Sequence, residues 1–152
     1  MELSRPNIFG IRRDIHCYSV LIRIACVFLL HTDPYIIQDL KNLYSSVNRF
    51  RDCFFADPEN TTRSLVLLHP KKEQVVSDEL VKSILFTFSN IKSLFQQHPH
   101  TAILFLQHFM LTLSSKLISE ELETKIQDVL LQARLNGQIE ETIQLEMLLH
   151  HQ

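Results

Sequence analysis

Eight histidines, three cysteines and a cluster of carboxylates are the residues of this chain that could do chemistry. A zinc site needs three or four convergent ligands, commonly two of them at i and i+4 on one helix. His98 and His100 flank Pro99, and His150 stands beside His151, yet neither H-x-x-x-H nor H-E-x-x-H occurs. Exposed turns and ends account for these histidines. Cys53 follows Arg49, Arg51 and Asp52, whose charges could shift a thiol, but a packed or surface thiol is the simpler reading. Glu120, Glu121 and Glu123 crowd one predicted helix start. Paired carboxylates act as general acid and base only inside a cleft, and at a helix N-terminus the dipole already favours them. No G-x-S-x-G elbow supports Ser/His/Asp catalysis. The sequence thus names no catalytic, cofactor-binding or metal-binding residue, no cofactor, and no enzyme class.

Composition agrees with that reading. The 152 residues fit one domain, are 45% hydrophobic and 21% charged, and include only two glycines, Gly10 and Gly137. A chain this long buries roughly 70% of its unfolded surface without staples. Gly-rich phosphate loops and tight hairpin turns are ruled out by the shortage of glycine. Residues 1–118 carry 13 basic and 10 acidic side chains, and residues 119–152 carry two basic and seven acidic. The basic residues form no stripe, so nucleic acid is not indicated as a partner. The acidic excess at the C-terminal end reads as a solvated helix face. Cys17 and Cys26 are nine residues apart, on opposite sides of one helix, and no C-x-x-C occurs. Free buried thiols in a reducing compartment explain the three cysteines.

The elements that must position these residues are helices. Residues 1–10 form a loose lead-in, and a buried helix is predicted from Ile11 to His31. Asp33 and Pro34 supply an N-cap and a first helical residue for a helix running to about Phe55, antiparallel to the first. Ala56 to Asn60 reads as a turn, and Thr61 to Pro70 as a short helix, although a buried strand fits the same pattern. Ser77 caps a further helix with the stripe Leu80, Ile84, Phe88, Ile91 and Phe95, ending at Pro99. Thr101 to about Leu117 is apolar almost all round, interrupted by Gln107 and His108, and is expected at the centre. Ser119 is the expected cap of the helix Glu120 to Asn136, which Gly137 terminates. The last helix, Gln138 to about His150, is expected to pack through Ile139, Ile143 and Met147. The fold class is all-α, with six or seven helices as antiparallel hairpins, α-solenoid-like or a compact bundle.

Asp33, Ser77 and Ser119 lie 44 and 42 residues apart. That period falls in the ~40–47-residue range of HEAT and armadillo units. On cap spacing and helix pairing, most of the chain resembles an α-solenoid of that type. The absence of any site, together with two helices, Ile11 to His31 and Thr101 to Leu117, that carry more apolar surface than a small hairpin could cover, points to a non-catalytic interaction module, an adaptor or scaffold binding protein partners through an exposed apolar helical surface. Such a surface also allows a homo-oligomer. The abrupt start and the end at "LLHHQ" within a helix suggest a fragment or short isoform of a longer helical-repeat protein. Tyr18 to Leu30 is interrupted by Arg23, is too short for a membrane span and lacks a small-x-small cleavage pattern. An intracellular, soluble chain is the expectation that follows. The alternative is a secreted protein resembling four-helix cytokines. In that reading Asp39 to Phe55 is one receptor-facing amphipathic helix, and Asn60–Thr61–Thr62 is a glycosylation sequon in an exposed turn.

Overall fold

The computed structural model describes residues 34–69 and 77–150. All regular structure among them is helical, in eight helices with no strand. The predicted helix Ile11 to His31, together with Cys17, Cys26, Asp33 and His151, lies outside the described residues. The chain forms two compact units that divide between Pro70 and Lys71.

The first unit holds α1 (Pro34–Tyr44), α2 (Val47–Ala56) and α3 (Pro58–Leu68). A single helix from Pro34 to Phe55 is therefore incorrect. The chain breaks at Ser45–Ser46, because serine side chains compete for backbone groups. Ser45 donates to the Asn42 carbonyl at 2.7 Å, and Ser46 turns extended and accepts from the Arg49 amide at 3.5 Å. The predicted turn at Ala56 to Asn60 shrinks to one residue. Asp57 ends α2 and caps α3, its Oδ1 accepting from the Asn60 amide at 3.2 Å, and Pro58 follows in the first turn. Asp followed by Pro is the same start signal read at Asp33–Pro34. The Thr61 to Pro70 segment is helical, ending at Leu68 with His69 as C-cap. Leu40, Leu43, Tyr44, Phe50, Cys53, Phe54 and Leu65 form the core. Tyr44 meets Phe50 edge-on at 5.1 Å, and its hydroxyl shares a hydrogen bond with Ser64.

The second unit holds α4 (Asp78–Ser89), α5 (Ile91–Gln97), α6 (Pro99–Lys116), α7 (Ser119–Leu135) and α8 (Ile139–His150). Ser77 caps α4 as expected, accepting from the Leu80 amide at 3.3 Å. The predicted stripe survives in Ile84, Phe88, Ile91 and Phe95, all buried, but the helix is interrupted at Asn90. There the Asn90 side-chain amide and the Ser89 hydroxyl both donate to the Phe86 carbonyl, giving the end of α4 its partners. The helix run does end at Pro99 as expected: His98, held out of the helical region before the proline, closes α5, and Pro99 then opens α6.

Helix α6 packs against α4, α5, α7 and α8. Thr101, Ala102, Ile103, Phe105, Leu106, Phe109 and Leu113 are buried, and the Phe105 and Phe109 rings meet tilted, with centroids 5.2 Å apart. Ser119 is not a cap. Ile118 occupies that position without a side-chain hydrogen bond, and Ser119 is the first helical residue. At the other end of α7 the Gly137 amide donates to the Arg134 carbonyl and the Gln138 amide to Ala133. This paired closure needs a left-handed residue, and Gly137 has φ +69°. The chain reverses there, and α8 returns antiparallel along α7, with Arg134 bonded to Glu146 across the turn at 2.7 Å.

Candidate functional site

The sequence treats Ile139, Ile143 and Met147 as the packing face of the last helix. That is incorrect. They are 75%, 52% and 55% exposed, whereas the buried side chain of α8 is Leu145. At 100° per residue the three lie on one side of α8, roughly opposite Leu145. Helix α8 thus carries two apolar sets, and the unit covers only the one containing Leu145. Leu131 and Leu135, one turn apart near the end of α7, are exposed as well. Leu135 and Ile139 bracket the Gly137 turn, so the hairpin presents apolar side chains on both sides of its tip.

Charge borders this surface. Asp128 stands one turn before Leu131. Glu140 adjoins the α8 stripe on one side and Glu146 on the other. The two cations of α7 are engaged within the unit. Lys125 donates to the Ser89 carbonyl at 2.9 Å and lies 5.8 Å from the centre of the Phe88 ring. Arg134 holds Glu146 and lines two shallow hollows along the hairpin. One runs over Glu123, Gln127, Leu130, Glu146, Leu149 and His150, and the other over Gly137, Gln138, Ile139, Thr142 and Ile143. Among the described residues, Arg134–Glu146 is the ion pair of this region, and the other carboxylates of α7 and α8 form none.

Among the described residues, those singled out for chemistry do not converge. Cys53 is a packed free thiol, and burial, with Asp52 adding to it, pushes it up to about 12. His98 closes α5, His100 is exposed in the first turn of α6, and His150 ends α8. Among the described residues no three His, Cys, Asp or Glu side chains are grouped to hold a metal. Glu120, Glu121 and Glu123 are exposed along the start of α7; Glu123 lines the shallow hollow beside Arg134, and Glu120 and Glu121 line neither hollow. Asn60 lies in the first turn of α3, not in an exposed turn; it is half-buried, and its side-chain amide donates to Asp57 at 3.1 Å. Nor is Asp39 to Phe55 one amphipathic helix, since it spans the break at Ser45–Ser46 and buries Leu40, Leu43, Tyr44, Phe50, Cys53 and Phe54.

One signal for the exposed face was in the sequence. Ile139, Ile143 and Met147 on one side, with Leu145, Leu148 and Leu149 on the other, are more apolar surface than one contact can cover. Among the described residues no helix is long and apolar enough to cross a membrane. No protein-family model, no curated protein and no solved structure matches this chain.

Proposed function

We propose that this chain is a non-catalytic helical interaction module, an adaptor or scaffold that binds protein partners through the α7–α8 hairpin. The observation that carries this reading is the exposure of Ile139, Ile143 and Met147 at helical spacing on one side of α8. Exposed apolar surface in contiguous array marks interaction sites more often than scattered single residues do. The resemblance to HEAT and armadillo units contributes to this reading only the expectation that helices pair as antiparallel hairpins, and of the caps that suggested it Ser119 caps no helix. The chain works in a reducing compartment, a reading that the buried, unpaired Cys53 supports.

The test compares the native chain with an Ile143→Ser/Met147→Ser double variant in partner capture followed by mass spectrometry. Both substituted positions are exposed, so the double variant keeps its melting temperature while losing the proteins that the native chain retains. Retention of the same proteins by both would overturn the reading.

A further inference from the structure

We propose that the α7–α8 face receives an amphipathic helix whose apolar side is bordered by Lys or Arg; this rests on the interaction-module reading above. Leu131 and Leu135, then Ile139, Ile143 and Met147, are five exposed apolar side chains repeating at one-turn intervals along two antiparallel helices. Helix recognition uses apolar anchors at i, i+3, i+4 and i+7 laid against such a surface. The border decides the charge of the occupant. Asp128 lies on the exposed side of α7 that carries Leu131, and Glu140 and Glu146 flank the α8 stripe. Arg134 and Glu146 cancel each other, and Lys125 keeps its charge beside the Ser89 carbonyl, but among the described residues Asp128 and Glu140 form no ion pair and leave the border acidic. Glu120 and Glu121 extend the acidic character along the exposed side of α7.

An acidic helix would bring like charges into register, which is destabilising at an interface. A second copy of this chain would do the same, because in a two-fold contact each border meets its own kind. A helix with Lys or Arg beside its apolar side matches both the stripe and its rim, and it leaves the Arg134–Glu146 pair intact.

The experiment uses the full chain and three labelled peptides of ~15 residues, long enough for a helix to form on binding. The first is a Leu/Lys peptide with leucines at helical spacing. The second is its Leu/Glu counterpart, and the third is the Leu/Lys composition scrambled so that no apolar side forms. Fluorescence anisotropy should show the amphipathic Leu/Lys peptide binding at least ~10-fold more tightly than either control, a difference of ~1.4 kcal/mol. Ile143→Ser/Met147→Ser should weaken it ~10-fold, and Asp128→Lys/Glu140→Lys likewise, with circular dichroism unchanged in both.

Equal binding of the Leu/Lys and Leu/Glu peptides, both lost in the Ser variant, would overturn the charge assignment and leave the interaction module standing. Leu/Lys binding that the Ser variant does not weaken would overturn the docking face, reducing it to general attraction between acid and base. If no peptide binds and sedimentation shows self-association abolished by the Ser variant, the occupant is a second copy and the proposal falls. If no peptide binds and the chain is a monomer, the proposal falls, and the capture comparison with the Ser variant decides the interaction module separately.

Discussion

Helices α6 and α8 are both rich in apolar residues, and the unit treats them oppositely. Helix α6 is packed against four helices and buries Phe105, Leu106, Phe109 and Leu113 completely. Among the described residues, helix α8 packs mainly against α6 and α7, buries Leu145, and leaves Ile139, Ile143 and Met147 exposed. Even α6 is not covered all round: Leu104 and Leu111, seven residues apart, remain exposed. The difference teaches that apolar content sets how much surface a helix needs to cover, while the number of neighbouring helices sets how much is covered. An end helix has fewer neighbours, so its second apolar side is left for something else. The same distinction holds in the first unit, where Cys53 and Phe54 are buried and Phe55 is 65% exposed.

The strongest way to break this comparison is Phe105→Ala. Phe105 has no exposed surface, and truncating a core phenylalanine costs ~3–5 kcal/mol against a total stability of about 5–15. Thermal unfolding should show a sharp fall in Tm, whereas Gln107→Ala, two residues on and exposed, should change stability by ~0.5 kcal/mol or less. Equal small shifts would mean that α6 is not the central helix.

Cys53 sharpens the comparison chemically. Its thiol ionises at about 12 in the folded chain instead of the ordinary 9.0, because burial and then Asp52 disfavour the thiolate. The unfolded chain therefore releases this proton first as pH rises. The contribution to stability is complete below pH 9.0 and is lost between there and about 12. Denaturant titrations through that window should show falling stability in the native chain and a flatter profile in Cys53→Ala. Thiol labelling at pH 8 should be slow until the chain unfolds.

Gly137→Ala tests the turn that returns α8 along α7. A Cβ there would meet nothing within 4 Å, so crowding is not the issue. The cost is the left-handed φ of +69°, about 1–2 kcal/mol for a residue with a side chain, read as a lower urea midpoint. The smallest effect belongs to the exposed face. Ile143→Ser should stay within ~0.5 kcal/mol of native stability, although Ile143 is as apolar as any residue of the core. A loss of several kcal/mol in that variant would show that the stripe is packed after all.

Much of the local structure could be read directly from residue types. Pro34, Ser77, Pro99 and Gly137 mark real helix boundaries, and the stripe from Ile84 to Phe95 faces the core as its spacing requires. Asp57–Pro58 carried the same information and was missed because a short polar run resembles a turn until the helices on each side are seen. Ser45–Ser46 and Ser89–Asn90 were missed for a related reason. Each can sit inside a helix or end one, and the outcome depends on whether the side chain finds a backbone partner and whether the chain must bend to bury the next phenylalanine or isoleucine.

The candidate face is the part that sequence could not place. Periodicity shows that Ile139, Ile143 and Met147 share one side of a helix and that Leu145, Leu148 and Leu149 share another. Both sets satisfy the same helical period, and the period contains no term for which neighbours arrive. Sequence alone therefore determined the all-helical class, the helix ends built from Pro, Gly and capping Ser, and the fact of an apolar stripe. Tertiary structure alone decided which stripe was covered, because burial depends on the helices packed alongside, and among the described residues α6 and α7 cover the Leu145 side of α8 and leave Ile139, Ile143 and Met147 exposed.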